Sequence, residues 1–455
     1  MPVTRLLCSL ALVLAALSGS PRVQATVLDP QFGAGGIVYR SGSADAFQPL
    51  GSCPHPGGSI TVVGRNQVGP STTELVILRL LPSGQPDPAF SSDGIHRLSL
   101  NSWSLVGNVV SACSGLATPE PGDDRLTLFW ATSGALDTLQ VDLEFGQFSS
   151  GYCAGIIVCD QLMAGALGEP QGTIGAMAAL GLQPGSDGRW LLTGRYTTDA
   201  APEGRGFIAR FNADGSLHAV HKPALPNTVA VEIANAFDLA GAIRFLVVLK
   251  GEHGYAITAM RVDSLLSSSW IEYMRPWQAV RPTIGKGRYV GNETLVAPVL
   301  LSPQAPALAV LNPGALEMLT LPNAVIGTDS FPDQSGRQTI AATASGRDGV
   351  LVSGSLQSSE WLGAAYYAAR VDLSTGTPRI DLDFGDQGAT RIPWQPPGST
   401  CQPGENAQIE QTALVSWQQT NLILGTSHTD CPWSGDVAFL AMRVNGVPML
   451  SDGFE

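Results

Sequence analysis

Short apolar runs, about five or six residues long, alternate with turns throughout the chain. Three of these runs lie between glycine-containing turns: GGSITVVG at 57–64, DGRWLLTG at 187–194 and DGVLVSG at 348–354. Each run is rich in β-branched or aliphatic residues and stops at Gly, Asn or Asp, which is typical of short antiparallel strands. No long stretch combines a helical period with caps, and only residues 234–242 could form a turn of helix. The pattern predicts an all-β chain.

A second kind of apolar run ends directly in a turn residue and occurs seven times. Its copies end at Gly84, Gly134, Gly215, Ser264, Gly314, Gly376 and Gly446. A third element, called the tail below, carries Asp, Phe and Gly at offsets zero, three and seven. Its copies are DPQFGAGG from Asp29, DPAFSSDG from Asp87 and DLDFGDQG from Asp381, with a degenerate copy from Asp142. The first two copies start 58 residues apart, so the chain repeats with a period of about 60 residues.

Short strands repeated at this period predict a β-propeller, a ring of small antiparallel sheets called blades. The seven strand-plus-turn runs favour seven blades in one domain at residues 26–455, while the irregular middle of the chain also allows six or eight. A ring needs closure because unpaired strand edges are a liability. The tail at Asp29 has no run before it and the last run has almost no tail after it, so the N-terminal segment is predicted to join the last blade. Each tail is interpreted as a hinge between blades, with its Phe at a blade contact.

Three elements of the repeat carry a family resemblance. The D-P-x-F-G-x-x-G tail, an R-x-x-x-x-G run and a D-G-x-x-x-x-G strand together resemble the delta-60 repeat, a bacterial β-propeller repeat of about this period. The resemblance covers the chain after its first 25 residues and is clearest at 28–94 and 348–388. It implies the propeller fold and a bacterial source, and it implies no established activity.

The first residues predict export. Arg5 precedes an apolar run from Leu6 to Leu17, and small or turn-forming residues follow as far as Ala25. This order is typical of a secretory signal peptide, here at residues 1–25. The run is shorter than the roughly 20 apolar residues that cross a bilayer, and no later segment is long and apolar enough. We therefore expect a periplasmic, cell-surface or extracellular protein without a membrane span.

Acidic residues outnumber basic ones by 38 to 25, and the formal net charge is −13. Only three of the basic residues are lysines. No basic patch is evident, which argues against nucleic acid and anionic membrane surfaces as partners. The expected partner is a protein or a glycan of unknown identity.

Six cysteines follow the signal peptide, and an even number in an exported chain predicts disulfides. Cys153–Cys159 is the first predicted pair, because a short loop joins the two residues. Cys401–Cys431 is the second, and Cys53–Cys113 follows by elimination, although six cysteines allow 15 pairings. No C-x-x-C pair is present, which argues against a metal site on these residues.

Asp381, Asp383 and Asp386 lie within six residues, and alternate carboxylates can converge on calcium, which takes six to eight oxygen ligands. The competing interpretation is turn chemistry, in which Asp side chains accept backbone N–H groups. Calcium is the one cofactor that the sequence suggests.

Trp394 and Trp433 lie in predicted loops and are the candidates for ligand contact. Neither G-x-S-x-G nor H-E-x-x-H occurs, so we assign no catalytic residue.

Three functions remain open at this point. The favoured hypothesis is an exported binding or interaction module whose ligand is held by loops at one end of the ring. The alternative is a propeller enzyme, a hydrolase or lyase acting on polysaccharide, which would need two carboxylates about 5–10 Å apart in the central channel. The third hypothesis is a surface-structural protein without a small ligand.

Overall fold

The computed structural model describes the chain in segments separated by short gaps. The described segments are 28–41, 47–55, 57–69, 72–100, 109–114, 125–131, 135–143, 146–148, 159–170, 172–184, 188–239, 242–290, 294–302, 305–321, 340–345, 349–356, 365–375, 377–385, 388–393, 407–417, 420–429 and 437–444. The predicted signal peptide lies outside these segments, so export stays a prediction. The extent of the single domain, 26–455, stays a prediction as well.

The described strands form seven antiparallel sheets, and each sheet has four successive strand positions. The innermost strands are β2 (Gln48–Pro54), β6 (Val109–Ser114), β11 (Ile174–Pro184), β16 (Thr228–Leu239), β20 (Thr283–Ile284) with β21 (Arg288–Val290), β25 (Ile340–Ser345) and β30 (Ala407–Trp417). The second strands are β3 (Ile60–Gly69), β7 (Arg125–Ala131), β12 (Trp190–Thr198), β17 (Ala242–Gly251), β22 (Thr294–Leu300), β26 (Gly349–Leu356) and β31 (Thr420–Thr429).

The third strands are β4 (Thr72–Leu80), β8 (Ala135–Asp142), β13 (Ala201–Phe211), β18 (Gly254–Asp263), β23 (Pro306–Asn312), β27 (Ala365–Asp372) and β32 (Val437–Val444). The outermost strands are β5 (Ile95–Ser99), β9 (Gln147–Phe148) and β10 (Cys159–Leu162), β14 (Leu217–His221), β19 (Ser269–Met274), β24 (Ala315–Thr320), β28 (Arg379–Ile380) with β29 (Ala389–Pro393), and β1 (Ile37–Arg40). Strand β15 (Ala224–Leu225) pairs with the start of β16, and the four-residue helix α1 spans Met163–Ala166.

The seven sheets are the blades of a seven-bladed β-propeller, numbered here from β2 onward. The described residues contain seven separate clusters of buried apolar side chains, and each cluster draws its members from two neighbouring blades. One of them joins the seventh blade to the first, where the Phe47 and Phe439 rings stack with centroids 4.6 Å apart. The cores therefore lie between blades, as expected when sheets pack face to face around an axis. The predicted fold class and blade number are confirmed.

The outermost strand of the seventh blade comes from the N-terminal end of the described chain. Strand β1 pairs antiparallel with β32, with Ile37 opposite Met442 and Arg40 opposite Phe439. An isolated bridge joins Leu28 to Val444 just before this pairing. The first and last described strands thus share one sheet.

The tails lie inside blades, between the third and outermost strands, so their interpretation as hinges between blades is wrong. The tail from Asp87 follows β4 and leads into β5, and the tail from Asp381 leads into β29. Each tail belongs to one blade, and its Phe side chain packs against the neighbouring blade. Phe32, Phe90 and Phe384 are all buried in clusters that two blades share. The second part of the interpretation, Phe at a blade contact, therefore agrees with the packing.

Each tail is bound to an arginine of the neighbouring third strand. The Asp87 backbone N–H donates to the Arg79 carbonyl over 2.9 Å, and the Arg79 N–H donates to the Gly94 carbonyl over 3.0 Å. The Asp87 carboxylate accepts the N–H of Ala89 over 2.9 Å. Gly94 has a φ of 74°, which a side chain would strain. The tails from Asp29 and Asp381 repeat this arrangement with Arg443 and Arg370, so the motif is a structural turn.

Three local predictions from the sequence are wrong. The glycines that close the first two apolar runs lie inside strands, because a Cβ at Gly64 would lie 2.1 Å from the Phe47 ring and one at Gly194 2.6 Å from the Phe207 ring. The run that ends at Gly134 contains a second strand, β7, whereas the other six contain third strands. The helix considered at 234–242 is absent from the described residues there, which belong to β16 and the start of β17.

The Cys53–Cys113 disulfide is present, and its Cα atoms are 5.8 Å apart. Cys53 lies on β2 and Cys113 on β6, so the bond crosslinks the innermost strands of the first two blades. The pairs Cys153–Cys159 and Cys401–Cys431 lie outside the described residues and stay predictions.

Candidate functional site

One acid-free stretch crosses the end of the ring between the fourth and fifth blades. Residues Tyr273–Val290, called the basic segment below, contain Arg275, Arg281, Lys286 and Arg288 and no Asp or Glu. The segment starts on the outermost strand of the fourth blade and ends on the innermost strand of the fifth. It therefore carries four positive charges from the rim to the axis of an otherwise acidic protein.

The outer half of the basic segment is folded back onto the fourth blade. Tyr255 and Gln278 exchange two backbone hydrogen bonds of 2.8 Å, and the Arg275 N–H donates to the Ile257 carbonyl over 3.0 Å. Trp277 is partly buried and packs against the apolar cluster of the third and fourth blades. Backbone pairing and a packed ring hold this connection in one conformation.

Arg281 ties the middle of the segment to the third blade. Its guanidinium donates to the Glu203 carbonyl over 3.1 Å and to the Glu232 carboxylate over 2.9 Å. The Glu203 carboxylate in turn accepts from Tyr255 over 2.9 Å and from Lys250. The Lys250 hydrogen bond lowers the pKa of Glu203, and the same contact raises the pKa of Lys250. Arg281 is thus fully engaged in structural contacts.

The inner half of the segment forms a bulge on the innermost strand of the fifth blade. Strands β20 and β21 both pair with β22, and Gly285-Lys286-Gly287 lies between them. The Asn235 amide nitrogen donates to the Gly285 carbonyl over 2.8 Å, and its oxygen accepts the Gly287 N–H over 2.7 Å. Asn235 is 4% exposed on β16, so a buried side chain of the fourth blade fixes the bulge. A Cβ at Gly287 would lie 2.6 Å from the Val296 carbonyl oxygen, which explains the glycine there.

Lys286 is held at the inner rim of this junction. Its side chain is partly exposed, whereas dense surrounding protein lowers the pKa of its amine through desolvation. The Arg288 side chain is exposed, and desolvation by surrounding protein lowers its pKa as well. Arg288 stays charged because its ordinary pKa is so high.

Within the described part of the chain, three cations of the basic segment form no side-chain hydrogen bond or ion pair: Arg275, Lys286 and Arg288. Other cations near the same end of the ring are paired. The Glu169 carboxylate accepts from Lys222 over 3.3 Å and from Arg205 over 3.1 Å. Unpaired cations beside a rigid backbone are what an anion-binding site requires.

Apolar side chains are exposed along strand β19, which ends directly before Arg275. Trp270, Ile271 and Met274 keep 44%, 42% and 48% of their surfaces accessible. Large apolar groups beside a few placed polar groups are typical of ligand sites. The rim of the fourth blade thus adds an apolar surface to the outer end of the basic segment.

The sequence-predicted site residues lie elsewhere. Asp381 is committed to the tail, where its carboxylate contacts the Arg370 guanidinium at 3.0 Å and accepts the Asp383 N–H over 3.1 Å. Asp386, Trp394 and Trp433 lie outside the described residues, so the calcium and tryptophan predictions remain untested. Within the described segments, no group of three or more His, Cys, Asp or Glu side chains could hold a metal ion.

The basic segment was not predicted, because the charge balance of the whole chain hides a local excess of cations. A local count would have found the stretch between Glu272 and Glu293, where four cations occur without an acid. The lack of a described partner for Lys286, and the Asn235 hydrogen bonds to Gly285 and Gly287, had no comparable signal in the sequence.

The clamp leads to a stability prediction. Asn235→Ala is expected to lower the free energy of unfolding by about 1–3 kcal/mol, because it leaves two buried backbone groups of the bulge unsatisfied. Chemical denaturation measures the change. Asn212→Ala is the matched control, since Asn212 bonds only Ser216 in a surface turn, and we expect a loss below about 1 kcal/mol for it. Equal losses in the two variants would contradict a specific clamp.

Comparisons with known proteins agree on the fold. Residues 185–217 match a family described as "Domain of unknown function (DUF5122) beta-propeller", and the match contains β12 and β13. No curated protein sequence matches the chain. Among the described residues, no helix is long and apolar enough to cross a membrane.

Several solved structures are similar to the chain. Polysaccharide lyase Uly1 has a TM-score of 0.46 at 11% identity, over 88% of this chain and 90% of that one. A second similar structure is the β-propeller domain of the trilobed protease from Pyrococcus furiosus, which is described as having an open velcro topology. Its TM-score is 0.41 and its identity is 9%, and the similarity covers 88% of this chain and 95% of that one. For Saccharomyces cerevisiae Sqt1 the TM-score is 0.42 and the identity is 10%, and the similarity covers 90% of this chain and 87% of that one. At these values the similarities carry no inference about activity, and the fold assignment rests on the chain's own strand order.

Proposed function

We propose that the protein is an exported binding module that takes an anionic ligand along the basic segment. The observation that carries the proposal is a set of three cations without a side-chain hydrogen bond or ion pair among the described residues: Arg275, Lys286 and Arg288. In a chain of net charge −13, four cations on 18 residues without an acid would create a local positive field. That field favours a carboxylate, sulfate or phosphate group of a ligand.

The spacing of the cations favours an extended ligand. Arg275 follows the outermost strand of the fourth blade, and Lys286 lies beyond its innermost strand. Three strand spacings separate these positions, which is about 14 Å or more. A ligand that contacts both ends must therefore carry more than one acidic group. An acidic glycan meets this requirement and agrees with the glycan expected from the sequence.

The described carboxylates near this end support binding over polysaccharide cleavage. Glu169, Glu203 and Glu232 are each bonded to cationic side chains. Hydrogen bonding to Tyr196 and then to Lys222 holds the pKa of Glu169 below its usual value. Carboxylates neutralised in this way are poor general acids, because that role needs a raised pKa.

Binding of polygalacturonate, followed by calorimetry, tests the proposal. Lys286→Gln and Arg288→Gln are each expected to weaken binding about tenfold or more, since a charged hydrogen bond contributes about 1.5–3 kcal/mol. Lys222→Gln is the matched control, because Lys222 is paired with Glu169, and it should leave affinity within about twofold.

Neutral dextran serves as the polymer control and should not bind. Equal binding of dextran, or no effect of either substitution in the basic segment, would refute an anionic ligand at this site. Depolymerisation of polygalacturonate would instead favour the enzyme hypothesis.

A further inference from the structure

Strand β19 forms the free outer edge of the fourth blade. It pairs with β18 on one side, and no described residue pairs with its other side. Its exposed positions are all apolar: Trp270, Ile271 and Met274. On the other outermost strands, the exposed side chains that the structure describes are all polar: Ser99, His218, Thr320 and Arg379. The edge of the fourth blade therefore lacks the polar cover that the other described edges carry.

Charge does not protect this edge either. Natural sheets keep their edges apart with charged side chains, among other devices. The one charged residue on β19 is Glu272, and only 12% of its side chain is accessible. Its carboxylate is bonded to Arg244 over 2.8 Å and to Arg261 over 2.9 Å, both on the same blade. The single charge of the strand is thus neutralised inside the blade.

A bulge in β19 brings two of the apolar side chains onto one face of the sheet. Ile271 lies opposite Met260 and Met274 lies opposite Thr258, with one extra residue on the β19 side. Met260 and Thr258 are two positions apart on β18 and therefore share a face. Residues directly opposite each other in paired strands lie on the same side, so Ile271 and Met274 share that face as well. They form an apolar strip along the free edge.

The two ends of β19 carry opposite charges. Asp263 precedes the strand, and hydrogen bonds from Ser267 lower the pKa of its carboxyl group, which stays ionised. Arg275 follows the strand, is exposed and has no side-chain hydrogen bond or ion pair among the described residues. Each end also has an exposed apolar side chain, Leu265 at the first and Met274 at the second. A strand with such ends is complementary to a second copy of itself that runs in the opposite direction.

We propose that the protein self-associates through this edge, with β19 of one copy lying antiparallel to β19 of a second copy. A two-fold axis perpendicular to the sheet generates this pair, and the same surface then serves both copies. Because the axis keeps each face of the sheet on its own side, the Ile271 and Met274 side chains of the two copies meet in one apolar cluster. Arg275 of each copy approaches Asp263 of the other, and Leu265 approaches Met274.

The inference is independent of the proposed function, although Arg275 takes part in both. Lys286 and Arg288 lie beyond the innermost strand of the fourth blade, far from the β19 edge, and a second copy leaves them open to a ligand. Lys286→Gln and Arg288→Gln should therefore leave self-association within about twofold. A protein that fails to bind polygalacturonate can still dimerise, and a monomeric protein can still bind it.

Sedimentation equilibrium of the full folded chain tests the inference. Between about 1 and 100 μM, a range that includes weak interfaces, the mass is expected to rise from that of one chain to that of two. Ile271→Lys and Met274→Lys, made separately, should each raise the Kd of the dimer about tenfold or more, since each removes an apolar contact from both copies and adds a charge to the edge. A mass of one chain at every concentration overturns the inference.

Val68→Lys is the matched control. Val68 is 56% exposed on β3 of the first blade, so its replacement changes the surface in the same way outside the fourth blade. This variant should leave the Kd within about twofold. All three replaced side chains are at least 42% exposed in the single chain, and circular dichroism checks that each variant folds. An equal effect of Val68→Lys and Ile271→Lys would refute a contact through β19.

Cysteine crosslinking tests the direction of the pair. Ser268 directly precedes β19 and Arg275 directly follows it, so an antiparallel pair brings these two positions together. A mixture of the Ser268→Cys and Arg275→Cys proteins should form more crosslinks between unlike chains than between like ones, as mapped by peptide mass spectrometry. A preference for like chains would place equal ends of β19 together and refute the two-fold arrangement.

Discussion

Replacing Phe32 by alanine is expected to lower the free energy of unfolding by about 3–5 kcal/mol, the range for losing a fully buried aromatic side chain. The Phe32 ring is completely buried in the cluster shared by the seventh and first blades. The Arg443 guanidinium lies over the ring, 5.2 Å from its centroid, and adds a cation–π contact. The substitution removes both contacts from the tail that precedes β1.

Phe384→Ala is the matched control, because its tail has the same hydrogen bonds and packs between the sixth and seventh blades. Both variants should lose stability to a similar extent in urea. Only Phe32→Ala should make the segment 28–40 an early site of limited proteolysis, because this segment is not preceded by the rest of its blade. A loss below about 1 kcal/mol for Phe32→Ala would contradict a stabilising contact of this tail with the cluster of the seventh and first blades.

Removing the Cys53–Cys113 disulfide should lower the free energy of unfolding by about 4 kcal/mol. The bond joins residues 60 positions apart, and for a loop of that length the chain-entropy relation gives about 4 kcal/mol. Because both cysteines lie on innermost strands, the loss should weaken the junction of the first two blades directly.

The double variant Cys53→Ala, Cys113→Ala is compared with the untreated protein by urea denaturation. Reduction of the wild-type protein should lower its stability at least as much as the double variant does, and reduction of the double variant tests the other predicted disulfides. Free thiols at Cys53 and Cys113 in non-reducing peptide maps would contradict the bond itself.

Much of the fold could be predicted because each repeat contains the same short sequence patterns for its strands and turns. Asp, Phe and Gly at fixed offsets specify a turn whose Phe must pack somewhere, and Phe90 indeed packs between blades. The sequence could not show that the turn belongs to one blade, since strand order depends on pairing between distant residues. Gly64 was misinterpreted as a turn because a glycine that ends an apolar run resembles one, and only the Phe47 ring against it shows the steric reason.

The site was much less predictable. Its central contact joins Asn235 to Gly285, residues on different blades that no local pattern relates. Among the described residues Lys286 has no carboxylate partner, and this too depends on the packing of the blades. The absence of acids from the basic segment was visible, and it would have been the correct starting point.

The pairing of β1 with β32 has a consequence for how the protein is made. Asp29 and its partner Arg443 are 414 positions apart, and at about 5–20 residues per second a ribosome needs roughly 20–80 s to synthesise that length. During this time Ile37–Arg40 has been made but its partner strand has not. An unpaired strand edge is a template for aggregation. The outermost strand of the seventh blade is therefore made first and paired last, so this blade cannot be completed before Val437–Val444 has been synthesised.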